Sequence, residues 1–157
     1  NIPTLLQAMQ QIPEIPLVLV GPKGWESDLK SAIKPIGERV KIIGEVDEVT
    51  KHIWYKAASV FCFPSLMEGF GLPIAEAMSQ GTPVVTSATT ATSEVAGDAA
   101  LLIDPKSSDA IAESIKEILG KPETAKELGE KGLERAKKMT WEDTALATAD
   151  IYREVVS

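Results

Sequence analysis

The chain has 157 residues, a length that suits one domain. Hydrophobic residues make up 44% and charged residues 25%, so a core can form without disulfides or a structural metal. The formal net charge of -7 argues against a general binder of nucleic-acid backbones, which needs a basic face, but leaves room for a local phosphate pocket.

Residues 4–11 place Leu5, Leu6 and Met9 on one side of a helix, with Pro3 suited to its first turn. Leu17-Val-Leu-Val20 reads as a strand ended by Gly21. A helix carrying Leu29 and Ile33 is expected over 27–34. Val40-Lys-Ile-Ile43 is the second strand, ended by Gly44. Residues 48–58 form a helix with Val49, Ile53, Trp54 and Ala57 as its apolar positions. Ser59-Val-Phe-Cys-Phe63 is the third strand, stopped by Pro64. A helix over 72–79 has Pro73 in its first turn, and Pro83-Val-Val-Thr86 and Ala100-Leu-Leu-Ile103 are the fourth and fifth strands. Residues 109–119 align Ile111, Ile115 and Ile118 before the stop at Gly120. Two helices close the chain, one over 123–139 and one entered through Thr140-Trp-Glu-Asp143, which resembles a capping box.

The strands are short, β-branched and mostly continuous in their apolar character, as strands buried on both faces are. Their alternation with helices predicts an α/β fold, a Rossmann-like parallel sheet with helices on both faces. The last two helices, about 122–157, read as a C-terminal extension packed on the sheet or on another domain. Cys62 is the single cysteine, so no internal disulfide forms; a reducing, cytoplasmic setting is expected. No apolar run approaches the roughly 18 residues of a membrane span. The chain starts at Asn1 in what reads as mid-element, and we expect a fragment of a longer polypeptide.

In a parallel sheet, ligands bind beyond the carboxyl ends of the strands. The richest such loop is Glu68-Gly-Phe-Gly-Leu-Pro-Ile-Ala-Glu76. Gly69 and Gly71 let backbone turn and approach a ligand. The helix that starts near Leu72 offers free amides and a dipole to a phosphate. A carboxylate at each end of that cradle can accept from sugar hydroxyls, Glu76 from a ribose and Glu68 from a hexose.

This segment, with Ala77-Met78 and Gly81-Thr-Pro-Val-Val85 after it, resembles the E-x7-E signature of retaining GT-B glycosyltransferases of the group 1, or family 4, type. Gly21-Pro-Lys-Gly-Trp25, Ser93-Glu-Val95, Gly97 to Pro105 and Trp141 resemble the family's other loops and its last helix. The resemblance implies one half of a GT-B fold: a single nucleotide-sugar-binding domain over 1–157 of a two-domain enzyme. It implies that Glu68 is the catalytic-side contact to the donor sugar. The amides of Gly69, Phe70, Gly71 and Leu72 would hold the diphosphate and sugar, and Glu76 the ribose. Val46 would meet the base through its backbone with Lys51 near it, and Gly21 would line the donor. The expected partners are a nucleoside-diphosphate sugar and an N-terminal acceptor domain. No cofactor, metal or nucleic acid is expected, and the whole protein can be peripheral to a membrane through its other half.

Two departures from the family stand out. Its first strand, central in the sheet and followed by an Arg and a Lys that grip the diphosphate, lies upstream of Asn1. The loop Ala88-Thr-Thr-Ala-Thr92 lacks the paired glycines that many relatives carry. The fragment alone is therefore expected to be inactive. Other readings are a GT-B-fold epimerase or phosphorylase, or a non-catalytic nucleotide-sugar-binding module. No Gly-x-Gly-x-x-Gly follows a strand, which argues against a dinucleotide oxidoreductase. The blander assignments are an exposed helical His52, a buried Cys62, packing roles for Trp54 and Tyr55, a solvated Lys23, and helix-start packing for Trp25.

Overall fold

A computed structural model of the protein describes residues 1–22 and 31–156. The chain order begins with α1 (Ile2–Gln10), β1 (Leu17–Val20), β2 (Val40–Gly44), α2 (Glu48–Ala57) and β3 (Phe61–Phe63). It continues with α3 (Leu72–Ser79), β4 (Val84–Ser87), α4 (Thr90–Ala96), β5 (Ala100–Ile103), α5 (Ser108–Gly120), α6 (Pro122–Ala136) and α7 (Trp141–Val156). Every strand pairing among the described residues is parallel, and helices lie on both faces, as the alternation of elements predicts.

The pairing departs from a single sheet. β1 pairs only with β2, and the other three strands form a separate sheet in the order β3-β4-β5. One edge of β1 and one edge of β3 are thus unpaired among the described residues. Both strands line the same cleft, about 870 Å3 in volume.

β4 organises the core. All four of its residues are buried, and its side chains alternate between two apolar clusters. Val85 faces the first cluster, where Leu5, Leu6 and Met9 of α1 meet Ile111, Ile115 and Ile118 of α5. Val84 faces the second, with Ile74, Ala77 and Met78 of α3 and Val95 of α4. Each large side chain fully buried this way contributes about 1.5–3 kcal/mol. α5 starts where Ser107 Oγ accepts from the Ala110 amide at 3.1 Å. Arg39 closes the C-terminal end of α1, donating to the Met9 carbonyl at 3.3 Å and, in the segment that follows, to the carbonyls of Ile12 and Ile15 at 3.0 and 2.9 Å. At α7, Thr140 Oγ1 accepts from the Asp143 amide at 3.0 Å, so the expected cap forms.

Three expectations need correction. β1 and β2 are not buried on both faces: Val18, Val20, Ile42 and Ile43 are exposed. β1 borders the open cleft, so solvent reaches its edge. The apolar positions of α2 do not form a buried stripe, since Val49 is 72% and Ile53 61% exposed. That helix instead docks on α3 through polar side chains, described below. Residues 90–96, read as loop, form α4. Threonines give this segment low helix propensity, and burial of Thr92, Val95 and Ala96 overrides it. The first half of the helix expected over 27–34 lies outside the described residues, as do Lys23 and Trp25, and residues 31–33 are helical.

The C-terminal helices differ from each other. α6 packs on α3 through two glycines, with Gly132 lying against Met78. A Cβ on Gly129 would sit 2.5 Å from the backbone oxygen of Gly81. α7 buries no residue against the sheet, and Trp141, Tyr152 and Val155 are 69–80% exposed. No helix of the described residues is long and apolar enough to cross a membrane.

Gly129→Ala tests the close approach of α6 to the Gly81 turn that follows α3. Alanine gains up to about 1 kcal/mol of helix propensity, but a backbone oxygen cannot move aside as a side chain can. Overpacking costs about 1–3 kcal/mol. The net expectation is a lower unfolding midpoint in chemical denaturation.

Candidate functional site

The upper end of the cleft lies at the carboxyl ends of β1, β2 and β3. Gly21, Val46, Lys51 and Glu68 all line it. Gly21 follows β1 with φ of 149°, and its amide donates to the Gly44 carbonyl at 2.9 Å. Val46 is half-buried in the turn before α2. Asp47 caps that helix by accepting from the Thr50 amide at 2.8 Å. These bonds hold the Asp47 carboxyl below its usual range.

The loop after β3 is fastened from beneath by hydroxyls. Thr86 Oγ1 donates to the Phe63 carbonyl at 2.8 Å, and Ser87 Oγ to the Ser65 carbonyl at 2.5 Å. Asn1 Nδ2 reaches across to the carbonyls of Pro64 and Pro105 at 2.9 and 2.7 Å. Ser65 Oγ then donates to Glu68 Oε1 at 2.7 Å. The half-buried Glu68 is thereby oriented by its own loop.

Gly71 caps α3 in a left-handed conformation, φ 100° and ψ 48°. A Cβ there would come within 3.1 Å of Ile74 Cδ1. Gly69 is different: its φ is not positive, and a Cβ would meet nothing within 4 Å. The turn therefore depends on Gly71, while Gly69 leaves open space above the loop. In the first turn of α3 Pro73 has no amide hydrogen and the Ile74 amide donates to the Gly71 carbonyl at 2.9 Å, which leaves the Leu72 amide without a partner within the helix. Phe70 and Leu72, at 45% and 51%, are exposed there. Thr92 of α4 lies beneath Gly71, its Oγ1 donating to the Ser87 carbonyl at 2.9 Å. The loop without paired glycines thus ends in a buried threonine that supports the cradle.

Glu76 sits one turn into α3, and both its oxygens are engaged. Lys51 Nζ donates to Oε1 at 2.8 Å and Tyr55 Oη to Oε2 at 2.9 Å. Lys51 also pairs with Glu48 at 3.0 Å. Hydrogen bonds to Glu76 and then Glu48 hold the Lys51 ammonium above its usual range. Burial, then the Glu76 carboxylate, push the Tyr55 phenol upward as well. The structure brings Lys51 and Glu76 together, and Lys51 lines the same cleft as Val46.

Sequence reasoning missed two polar roles. Tyr55 was assigned to packing; its ring does pack edge-on against Phe61, with centroids 5.1 Å apart, but its hydroxyl reaches Glu76. The available signal was the i, i+4 spacing of Lys51 and Tyr55. The second is Ser65, whose hydroxyl orients Glu68; a serine three residues before Glu68 is a local turn signal. His52 lies on α2 with Nδ1 2.7 Å from the Glu48 carbonyl. Burial raises the Cys62 thiol to about 12, so it stays protonated. Among the described residues no group of three His, Cys, Asp or Glu side chains could hold a metal ion.

The chain is 40% identical to an O-antigen chain mannosyltransferase B of Escherichia coli over 161 aligned positions, covering 98% of this chain and 42% of that one. The structure resembles sucrose-phosphate synthase from Thermosynechococcus elongatus with a TM-score of 0.88 and 35% identity, over 99% of this chain and 42% of that one. An Anabaena protein crystallised with UDP and glucose shares the fold, with a TM-score of 0.82 and 22% identity over 98% of this chain and 44% of that one. The chain thus spans about 42% of the length of that mannosyltransferase. The family model for glycosyl transferases group 1 matches residues 1–135, and the chain belongs to that family.

Proposed function

We propose that this domain binds the nucleoside-diphosphate sugar of a retaining hexosyltransferase whose acceptor site lies on another domain. The observation that carries the reading is the pair of oriented carboxylates flanking the N-terminus of α3. Glu68 is set by Ser65, and Glu76 by Lys51 and Tyr55. The diphosphate lies over Gly69 to Leu72, where free amides and the helix dipole oppose its charge. Glu76 accepts from the ribose hydroxyls and Glu68 from the sugar, while Val46 meets the base. The same amides stabilise the diphosphate as it leaves, which is where negative charge develops.

The lower part of the cleft supports the larger assembly. β1 and β3 both line it, and among the described residues each is an edge strand of its own sheet. A further parallel strand from the same polypeptide would join β1 and β3 into one sheet. Such a strand would deliver its following loop to the diphosphate end of the cleft. The resemblance places an Arg and a Lys on that loop.

Calorimetric titration of the complete polypeptide with UDP-, GDP- and ADP-sugars tests the reading. One of these classes should bind, and Glu76→Ala should weaken it roughly 10- to 150-fold, the worth of one charge-assisted hydrogen bond. No binding of any nucleotide sugar at millimolar concentration would overturn it. NMR of the product's anomeric configuration checks retention; inversion would remove that part of the proposal.

The two glycines separate stability from binding. Gly71→Ala forces a side chain into a left-handed position, so the domain should lose about 1–2 kcal/mol of stability. Gly69→Ala should leave the unfolding midpoint unchanged and weaken donor binding by placing a methyl in the diphosphate's path. Unchanged donor affinity in Gly69→Ala would show that the donor does not cross that loop.

A further inference from the structure

We propose that Tyr55 is a positioning residue which, with Lys51, clamps the Glu76 carboxylate so that it reads a vicinal diol. The inference rests on the reading of Glu76 as the ribose ligand and deepens it. Lys51 and Tyr55 are four residues apart on α2 and so share one face of that helix. Glu76 lies across from them on α3. Each carboxylate oxygen receives one donor, Oε1 from Lys51 at 2.8 Å and Oε2 from Tyr55 at 2.9 Å.

A carboxylate oxygen has about two acceptor directions. One on each oxygen is taken, and one on each oxygen is left. Two remaining directions on one fixed plane match two neighbouring hydroxyl groups. A carboxylate held by Lys51 alone could pivot about Oε1, because an ammonium is a point charge without directional preference. The phenol supplies the second point that stops the pivot.

Tyr55 is itself anchored. Its ring meets Phe61 edge-on at 5.1 Å, and Phe61 stacks on Phe63 at 5.9 Å. Thr82 Oγ1 donates to the Tyr55 carbonyl at 2.7 Å. The clamp is therefore tied to the second core cluster rather than to solvent-exposed side chains. Burial and the adjacent carboxylate keep the phenol protonated, so it remains a donor across the working pH range.

Tyr55→Phe keeps the ring and removes the hydroxyl. The complete polypeptide would be titrated with UDP, GDP and ADP, and the preferred nucleotide compared with its 2′-deoxy and 3′-deoxy forms. In the unaltered protein the ribose form should bind about tenfold or more tightly than either deoxy form. Tyr55→Phe should weaken the ribose form about tenfold and the deoxy forms little, so the discrimination collapses while the unfolding midpoint is retained. A packing role alone would weaken all forms equally. Lys51→Met, which leaves the phenol as the sole clamp, should also shrink the discrimination. It serves as the second variant if Tyr55→Phe does not fold.

Glu76→Gln separates the two layers of the argument. If it abolishes discrimination while Tyr55→Phe and Lys51→Met preserve it, the clamp is overturned and the ribose reading stands. Discrimination that survives intact in Glu76→Gln overturns the ribose reading, and the clamp with it. Collapse in all three variants supports both.

Discussion

The position of α3 is the constraint on which the site depends. This helix carries Glu76, and its N-terminus forms the floor of the proposed diphosphate cradle. It is short, eight residues, and has no cap from a side chain. Isolated helices of that length are not stable in water. Tertiary contacts must therefore place it. Ile74, Ala77 and Met78 are fully buried. Gly129 and Gly132 let α6 come into backbone contact on the far side. Arg135 of α6 also donates to the carbonyls of Glu94 and Val95 at the end of α4. α6 thus holds both α3 and α4, and through Thr92 it supports the Gly71 turn as well. An element with no residue in the site determines the precision of the site.

The second constraint is the division of the sheet. β4 is buried on both faces and shared by two clusters, whereas β1 and β2 are open along one side. The cleft between β1 and β3 runs from Leu5 and Ile115 at its base to Gly21 and Glu68 at its top. The same gap is therefore apolar where a strand would fit and polar where the donor is proposed to lie. Closing its lower part would fix the distance between the Gly21 loop and the Glu68 loop. Completion of the fold and formation of the donor site are on this view one event.

Much of the fold was legible because the apolar runs are short and punctuated. Of the five strands among the described residues, all but β4 lie where Val, Ile, Leu and Phe cluster before Gly, Pro or Asp. The helical face of Ile111, Ile115 and Ile118 was equally plain. Failures occurred where tertiary structure overrode local pattern. Val49 and Ile53 have core-like spacing, but α2 is held by Asp47, Lys51 and Tyr55 instead. α4 is threonine-rich and forms because it covers β4 and β5. In the candidate site, the spacing of Glu68 and Glu76 sets one carboxylate before the Gly71 turn and one a turn into α3, but spacing along one chain does not show what crosses between helices. Lys51, Tyr55 and Glu76 meet over sequence separations of 25 and 21.

Charge poses the remaining question, because a chain of net charge -7 is proposed to bind a dianionic diphosphate. Physiological salt screens exposed charges beyond about 8 Å, so most of the acidic surface is not felt at the cradle. Local terms decide. Lys51, the cation nearest Glu76, is already neutralised by that carboxylate and by Glu48. It can orient Glu76 but has little net charge to offer a phosphate. The amides of α3 contribute about half a unit of positive charge, which is short of what a diphosphate carries. Further cations must therefore come from outside the Lys51 cluster, and the lower cleft shows a route for them. A strand seated between β1 and β3 would end beside the cradle, so the loop following it is the natural source of the missing charge.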